Sequence, residues 1–350
     1  MFKPKKRQRK KRGLFHAKSF NENLWREQVT NQDLALLYAS HYNPARKRYF
    51  NPWMRKEKSI KDIMRWVLAK NHFSKEAWAY PGLEPLENDG LYLKDSNAPD
   101  SLTMLGHSSL ALQESGQVLL FDPFFSDRTF NIKRSTPVAL AAKALPEDII
   151  VVISHSHYDH LDKRVIKTMP NALFVCPLGI ARLLRSWGVS NIIEMDWWQD
   201  VTIKQFHLTC LPAHHWSRRF EHGTNRSLWA SWLVAVTGHK LYFGGDSAYF
   251  VGYREFGRLF PDIDIALLPC GASAPRWFMH QSHTNVTEMF LAFEQLGASY
   301  FIPIHWGSMA LGFEPPNWPA KQIQDKLNSS PELKDKVIMM PVGERLMLWP

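Results

Sequence analysis

The chain has 350 residues, of which 45% are hydrophobic and 22% charged, so it is long enough to bury a large core in one or two domains. No stretch approaches the roughly 18 consecutive apolar residues of a membrane span, and no apolar signal region follows the basic start, so we expect neither a transmembrane helix nor a secretion signal. Three widely separated cysteines indicate no disulfide framework and favour a reducing compartment.

The formal charge of +10 is concentrated at the N-terminus. Residues 1–12 contain eight Lys or Arg and no acidic residue, which leaves 10 − 8 = +2 for the rest of the chain. Such a run is usually flexible and suits a polyanion, although a solvated tail without a partner is an alternative. We interpret residues 3–12 as a contact for an anionic membrane surface. Nucleic acid is the weaker candidate, because the body has no second basic cluster.

The polar residues 1–45 predict a flexible N-terminal extension ahead of one main domain over residues 46–350. Within that domain, residues 59–69 place five apolar side chains at the spacing of one helix face, namely Ile60, Ile63, Met64, Val67 and Leu68. We predict a helix whose apolar face packs against the main domain. A membrane-facing role or a place in a substrate groove is the alternative.

From about residue 100, short apolar runs alternate with turns and predict strands. These runs are 102–105, 110–113, 118–121, 149–153, 173–176, 202–210, 229–236, 240–243, 265–268, 301–304 and 337–340. Helices are predicted at 180–187, at 251–260, and from a cap at Asn285 to Gly297. Many strands with helices between them indicate a layered α/β fold, in which two sheets face each other between outer helices.

The fragment SHSHYDHLD, residues 154–162, follows the apolar run 149–153 and contains His155, His157, Asp159 and His160. Imidazole nitrogen and carboxylate oxygen together suit zinc. Alternate residues of a loop that leaves a strand point to one side, so His155 and His157 can hold one ion while Asp159 and His160 turn toward a second. Two metals need more ligands than one loop supplies. We therefore expect further ligands at other strand ends.

Isolated candidates follow other apolar runs of the sequence: His214, His215, Asp246 and His305. A lone histidine in such a place is more often a packed or surface residue than a ligand. Several such sites in one chain, beside an H-x-H-x-D-H cluster, favour a metal constellation.

These motifs resemble the metallo-β-lactamase fold in sequence and in chain order. Within that fold, the segments NPW, GHSS, DPFFS, EMDWW, HHWSRR, GGDSAYF, PRWF and IHWGSMAL are similar to the family of N-acylphosphatidylethanolamine-hydrolysing phospholipase D. The resemblance covers roughly residues 48–315 and excludes the basic tail. It implies an αββα sandwich, with two facing mixed β-sheets and helices outside.

The resemblance also implies a set of metal ligands. His155, His157 and His215 would bind one zinc ion, Asp159, His160 and His305 the other, and Asp246 would bridge both. His107 and Asp122 would hydrogen-bond to ligands without touching metal. The implied catalytic residues are Asp159, Asp246 and His283. His283 would orient phosphate or protonate the leaving group, and a buried supporting role is its alternative.

The implied activity is that of a dizinc phosphodiesterase of phospholipase D type, which hydrolyses N-acylphosphatidylethanolamine to N-acylethanolamine and phosphatidic acid. Two zinc ions would activate water and clamp the phosphodiester. Candidate substrate contacts are Arg276, Trp277 and Trp216, although Arg276 has a structural alternative. Core packing explains most of the aromatic residues near the metal motifs, and an acyl-chain groove would use the same residue types.

Two other functions remain alternatives. One is another hydrolase on the same fold, such as a sugar-phosphate lactonase, which would need a small polar pocket. The second is a nucleic-acid-processing hydrolase, which the basic tail suggests. We expect a cytoplasmic protein that associates peripherally with the inner face of a membrane, and an oligomer is compatible with the sequence.

Overall fold

The structure is a computed structural model that describes residues 19–54 and 58–348. The helices of this part of the chain are α1 (Glu22–Thr30), α2 (Ile60–Leu68), α3 (Lys75–Trp78), α4 (Lys163–Ile166), α5 (Ala181–Ser186), α6 (Gly252–Leu259), α7 (Arg276–Met279), α8 (Val286–Leu296) and α9 (Trp318–Ser329). Short 3-10 helices cover Leu34–Tyr38, Leu91–Lys94, Ala142–Ala144 and Pro331–Leu333.

The strands form two large sheets and several small hairpins. They are β1 (Tyr42–Asn43), β2 (Arg48–Tyr49), β3 (Ser101–Gly106), β4 (Ser109–Glu114), β5 (Gln117–Phe121), β6 (Arg128–Thr129), β7 (Ile132–Lys133), β8 (Ile149–Val152), β9 (Leu173–Pro177), β10 (Ile192–Met195), β11 (Asp200–Ile203), β12 (Phe206–Leu211), β13 (Arg218–Arg219), β14 (Gly223–Thr224), β15 (Ser231–Val236), β16 (His239–Phe243), β17 (Ile265–Pro269), β18 (Tyr300–Ile304) and β19 (Arg345–Met347). A seven-stranded sheet has the order β10-β9-β8-β5-β4-β3-β19, and a six-stranded sheet has the order β11-β12-β15-β16-β17-β18.

The two large sheets pack face to face, which confirms the predicted αββα sandwich. In β5, Leu119 and Phe121 enter the core between the sheets, whereas Val118 and Leu120 face the helices α4 and α5 on the other side. This follows from the two-residue side-chain period of a strand. The ring of Phe121 meets the ring of Phe243 from the second sheet at 4.6 Å between centroids.

The topology brings several strand ends to one edge of the sandwich. In the second sheet β12 and β16 are both antiparallel to β15, and β17 and β18 run parallel to β16, so the carboxyl ends of β12, β16 and β18 share an edge. In the first sheet, β8 is followed directly by the segment that contains His155. Polar residues that follow these strands can therefore converge.

Two of the predicted strands are wrong. The predicted strand 202–210 is instead the hairpin of β11 and β12, because the chain turns at Lys204, whose φ is 54°. The apolar alternation changes phase at this turn, from Val201 and Ile203 to Phe206 and Leu208, but no Gly, Asn or Pro marks it. Of the predicted strand 337–340, only Val337 forms a bridge, to Phe301. The closing strand is β19, which pairs with β3.

Part of the predicted N-terminal extension packs on the main core. Val29 of α1 and Leu37 are fully buried in the core between the sheets. Residues 1–18, including the basic run 3–12, lie outside the described residues. The division of the chain at residue 45 stays a prediction.

The helix predicted at residues 59–69 forms as α2, but its apolar face does not pack against the domain. Ile60, Ile63, Met64, Val67 and Leu68 are all exposed, and Asp62 is the buried residue of the helix. The expectation of core packing is therefore wrong for this face. Among the described residues, we find no helix with the length and apolar character that a membrane crossing requires.

Candidate metal centre

Seven His and Asp side chains converge at the shared edge of the two sheets. They follow β8, β12, β16 and β18, as the strand-end pattern predicts, and lie in two groups. Within each group one ligand atom from every residue lies within 4.8 Å of the others. The first group contains His155, His157, His215 and Asp246; the second contains Asp159, His160 and His305, together with an eighth residue, His107, which follows β3.

The first group presents three imidazole nitrogens to one point. His157 Nδ1 lies 2.8 Å from His155 Nε2 and 3.2 Å from His215 Nε2. Asp246 Oδ2 lies 3.8 Å from His155 Nε2 and 3.7 Å from His215 Nε2. Tetrahedral ligands about 2.1 Å from one zinc ion are about 3.4 Å apart, so these separations suit a common ion.

Asp246 also reaches the second group. Its Oδ2 lies 3.3 Å from His160 Nε2, and its Oδ1 lies 3.2 Å from His305 Nε2. His305 Nε2 is in turn 3.6 Å from Asp159 Oδ2. One carboxylate therefore borders both groups, which is the geometry that a bridging ligand requires.

Unpaired buried atoms test whether a metal fits here. His160 Nε2, His305 Nε2 and Asp246 Oδ1 are buried and make no hydrogen bond with the described residues. Such atoms are costly in a protein interior unless a partner is supplied. Mixed imidazole and carboxylate donors are those that zinc accepts, so the residues present fit a metal ion.

The electrostatics of the two groups differ. Burial lowers the pKa of His155 and His215 well below the ordinary value and that of His157 to about 4, so these three imidazoles are neutral at pH 7 and offer lone pairs. Burial also disfavours protonation of His160 and His305. However, the carboxylates of Asp246 and Asp159 outweigh burial, raising the pKa of His160 well above its usual range and that of His305 to about 9.

The second group therefore needs positive charge. Burial alone would raise the pKa of Asp159 and Asp246, but the nearby imidazoles, His160 foremost, hold both well below the usual range. In the metal-free protein, protons on His160 and His305 supply that charge. A divalent cation would replace those protons, because metal ligands bind in their deprotonated form.

Asp122 contacts one predicted ligand, His160, directly and a second, His155, through Ser154. His160 Nδ1–H donates to Asp122 Oδ2 at 2.7 Å, which leaves Nε2 directed at the centre. The Ser154 hydroxyl donates to the same carboxylate, and His155 Nδ1–H donates to Ser154 Oγ at 2.9 Å. A hydrogen bond at one ring nitrogen sets the tautomer that frees the other.

His107 contacts two of the predicted ligands, Asp159 and His305. Its Nε2 is 3.2 Å from Asp159 Oδ2, and its ring is 4.2 Å from that of His305. Burial lowers its pKa to about 3, so the neutral ring donates one N–H to Asp159. The same nitrogen would become a ligand atom only by giving up this hydrogen bond.

His283 lies beside the centre, between the two groups. Its ring centroid is 5.2 Å from that of His215 and 5.4 Å from that of His305, and its Nδ1 is 3.8 Å from Asp246 Oδ2. Burial lowers its pKa to about 3 despite the attraction of Asp246. His283 is therefore neutral at pH 7.

The predicted substrate contacts differ in their surroundings. Arg276 binds both carboxylate oxygens of Glu288 through Nη2, at 2.9 and 2.7 Å, and Nη1 donates to the His283 carbonyl at 3.1 Å. These bonds favour its structural alternative. The partly exposed Trp216 ring lies 4.6 Å from the ring of His157, and Trp277 is partly exposed next to Phe278. Substrate contact by these residues stays a prediction.

The sequence does not reveal the role of Arg219, although the motif HHWSRR contains it. The guanidinium is buried and donates to the carbonyls of Ser156 at 2.9 Å and Leu161 at 2.8 Å. It therefore holds both ends of the loop 154–162, the metal loop, which carries four of the candidate ligands. Ser282 was also missed: its carbonyl accepts from His215 Nδ1–H at 2.8 Å. Backbone carbonyls leave no signal in sequence, so these partners became visible only in the structure.

Comparison with known proteins places this chain in a family. Residues 117–306, more than half of the chain, match the family model described as beta-lactamase superfamily domain. The chain belongs to this superfamily, whose match covers the strand ends that carry the seven His and Asp residues.

Individual relatives are similar to this chain over about two thirds of its length. An uncharacterized protein of Mycobacterium bovis is 34% identical over 250 residues, 68% of this chain and 67% of its own. The mitochondrial N-acyl-phosphatidylethanolamine-hydrolyzing phospholipase D of Saccharomyces cerevisiae is 33% identical over 245 residues, 65% of this chain and about half (51%) of the yeast protein. The solved structure of Igni18, a metallo hydrolase of Ignicoccus hospitalis, shares the fold with a TM-score of 0.52 and 22% identity, covering 71% of this chain and 97% of that one.

Proposed function

We propose that this protein is a dizinc phosphodiesterase of phospholipase D type that hydrolyses N-acylphosphatidylethanolamine to N-acylethanolamine and phosphatidic acid. The observation that carries the proposal is the position of Asp246, which borders two groups of ligand atoms from the two sheets. His155, His157 and His215 would hold one zinc ion, and Asp159, His160 and His305 the second. The printed name of the yeast relative supports the choice of substrate.

Two zinc ions at this place would supply an activated water and charge stabilisation for a phosphodiester. The chain's own residues orient the site. Asp122 and Ser282 accept from the outer nitrogens of His160 and His215 and thereby aim the inner nitrogens. Neutral His283 would donate a hydrogen bond to a phosphate oxygen and fix the ester for attack.

The surroundings of the centre favour a lipid over a small polar substrate. A small space of about 30 Å³ beside the second group is lined by His107 and mainly by apolar side chains, including Leu83, Met104, Trp306 and Met340. A sugar-phosphate lactonase would need polar groups to match its substrate hydroxyls. The mainly apolar lining beside the centre offers few such groups, which supports the lipid substrate over that alternative.

The test is a substrate comparison with one zinc-loaded preparation of the full chain. N-acylphosphatidylethanolamine, phosphatidylcholine, a sugar-phosphate lactone and RNA are offered at equal concentration. We expect the N-acyl lipid to be turned over at least about tenfold faster than the others. Faster hydrolysis of the lactone or RNA would overturn the proposal in favour of one of the alternatives.

Oxygen labelling tests the bond that is cleaved. In water enriched in oxygen-18, attack at phosphorus places the label in phosphatidic acid, whereas attack at carbon places it in N-acylethanolamine. We expect label in phosphatidic acid alone. Label in the alcohol would exclude a phospholipase D reaction by attack at phosphorus.

A further inference from the structure

The apolar face of α2 is exposed although it has the pattern of a buried helix face. The exposed fraction is 78% for Ile60, 67% for Val67 and 59% for Leu68, and Ile63 and Met64 of the same face are exposed too. A helix in a globular protein normally turns such a stripe toward the core. Contiguous exposed apolar surface marks a site of interaction with a partner or a membrane.

Other side chains of α2 hold it in this orientation beside the candidate metal centre. Trp66 stacks on Phe278 at 5.0 Å between centroids and 2° between planes. Just before the helix, Lys58 Nζ donates to Ser282 Oγ at 2.7 Å, and Ser282 directly precedes His283. The orientation is thus set by contacts with the segment that carries His283.

Two hairpins add exposed aromatic tips next to the loop that carries His157 and Asp159. Phe130 at the tip of β6–β7 is 71% exposed, and Phe220 at the tip of β13–β14 is 97% exposed. Both contact Tyr158, the residue between His157 and the predicted ligand Asp159: the rings of Phe130 and Tyr158 are 4.6 Å apart, and Phe220 N–H donates to Tyr158 Oη at 2.9 Å.

The charges around these apolar groups are mainly positive. Exposed basic side chains occur on α2 and on both hairpins: Lys61, Arg128, Lys133 and Arg218. They outnumber the exposed acids of the hairpins, which are Asp127 just before β6 and Glu221 next to Phe220. Apolar side chains flanked by Lys and Arg are typical of surfaces that lie in the interface of an anionic bilayer. A peptide partner would instead need one continuous groove, whereas these apolar groups stand on separate elements around the centre.

We propose that α2 and the tips Phe130 and Phe220 form a docking surface, which seats the mouth of the metal centre on an anionic phospholipid bilayer. The choice of a bilayer rests on the proposed function, because a lipid substrate must be reached in its membrane. The surface is distinct from the basic run 3–12, and it binds by burying apolar side chains as well as by charge.

The test measures vesicle binding with the zinc-loaded full chain. Vesicles contain phosphatidylglycerol and phosphatidylcholine but no N-acyl lipid, so binding is measured without turnover. We expect the double variant Ile63→Glu/Val67→Glu to bind at least tenfold more weakly and Phe220→Ser about threefold more weakly. Tyr300→Ser is the matched control, because Tyr300 is 45% exposed but lies at the far end of β18 from His305. It should bind like the unaltered protein.

Further measurements separate the proposal from its rivals. Melting curves and zinc content confirm that each variant is folded and loaded with zinc. In a chain that lacks residues 1–12, Ile63→Glu/Val67→Glu should weaken vesicle binding by the same factor as in the full chain. Equal binding by the double variant and the unaltered chain would overturn the proposal. So would a dimer that the double variant dissociates without a change in vesicle binding, because the face would then join two copies.

The outcome does not depend on the identity of the substrate. If the variants lose vesicle binding while N-acylphosphatidylethanolamine is not hydrolysed, the docking surface stands and the proposed function falls. If the lipid is hydrolysed and the variants bind normally, the proposed function stands and the docking surface falls.

Discussion

Asp246 is the residue on which the candidate centre depends most. It is almost fully buried, and its two oxygens face different groups of imidazoles, with Oδ2 near His160 and Oδ1 near His305. His107 touches only one predicted ligand carboxylate, that of Asp159. Loss of Asp246 should therefore affect both metal positions and loss of His107 only one.

We predict that Asp246→Asn reduces bound zinc from about two equivalents to one or fewer and lowers activity by more than about 100-fold. His107→Ala should weaken metal binding by about 10–100-fold, which is the usual effect of losing a residue that orients a ligand. Metal analysis and steady-state kinetics of the two variants check this order. Full zinc content and activity in Asp246→Asn would contradict a bridging role.

His214 contributes to stability in a pH-dependent way. It neighbours His215 but turns into an aromatic cluster that includes Trp53 and Phe250. Burial lowers its pKa to about 3, with a smaller contribution from His280. Since the unfolded pKa is higher, about 6.5, the unfolded chain binds a proton first as the pH falls. Stability linked to this residue is therefore present above pH 6.5 and is lost progressively toward pH 3.

We predict that this single residue accounts for about 2 kcal/mol of the free energy of unfolding lost between pH 7 and pH 5. His214→Gln removes the titrating group, so its stability should fall less steeply over that range. Urea unfolding at several pH values checks the slope. The exposed His207 provides the matched control His207→Gln; an equal slope in both variants would contradict the assignment to His214.

At the scale of elements, the metal loop after β8 is held from outside by the hairpin β13–β14. Arg219 of β13 is buried, and its carbonyl partners Ser156 and Leu161 belong to the loop at either end of the ligand cluster. Its guanidinium also lies 4.1 Å from the ring centroid of Tyr158. The loop itself has little regular structure, so these contacts restrict the positions of its ligands.

We predict that Arg219→Met lowers the free energy of unfolding by about 3 kcal/mol, because charged hydrogen bonds are lost and buried carbonyls are left unpaired. Zinc affinity should fall as well, since the loop loses its fastening. Arg218→Met is the matched control, because Arg218 is the exposed neighbour on the same strand. Equal stability and affinity of the two variants, measured by urea unfolding and zinc titration, would refute this role.

The helix α2 illustrates how an element can be predicted while its environment is not. Ser59 and Asp62 form a capping box, and the apolar spacing is helical, so the helix itself follows from nearby residues. Which way its apolar face points depends on Trp66 and Phe278, which are distant in sequence. The same hydrophobic periodicity is produced by a core-facing helix and by a helix at a lipid interface.

For the whole molecule, the candidate centre joins the two sheets. The loop with His155, His157, Asp159 and His160 extends from the first sheet, whereas His215, Asp246 and His305 follow strands of the second. A metal bound to both sets would cross-link the sheets at one edge. The core between them is extensive and contains no metal ligand, so the sandwich does not depend on the metal alone.

We predict that removal of metal by a chelator abolishes activity and lowers the melting temperature but leaves a folded protein. A metal at 100 times its dissociation constant stabilises the native state by about 2.7 kcal/mol, provided that it does not bind the unfolded chain. Calorimetry with chelator and with added zinc checks both effects. An unchanged melting temperature would mean that no metal bridges the sheets.

The sequence by itself determined the class of fold and the identity of the candidate ligands. Apolar runs of strand length located most strands of both sheets, and the density of His and Asp at strand ends gave eight candidate ligands. The resemblance to the phospholipase D family selected from these eight the seven residues that the structure brings together. Both signals are local, because strand periodicity and strand-end position are properties of neighbouring residues. The turn at Lys204 was not predicted because no Gly, Asn or Pro marks it, and its one signal is a change in the phase of the apolar alternation between Ile203 and Phe206.

Only the tertiary structure decided the partners of those residues. In the structure His160 donates to Asp122, Arg276 donates to Glu288, and the apolar face of α2 is exposed. Each of these outcomes depends on which distant segments the fold brings within a few ångströms. The identity of an imidazole, a guanidinium or an apolar stripe does not reveal which partner it will contact. Spacing along the chain predicts elements and ligand types, whereas burial, tautomer and exposure follow from contacts between elements.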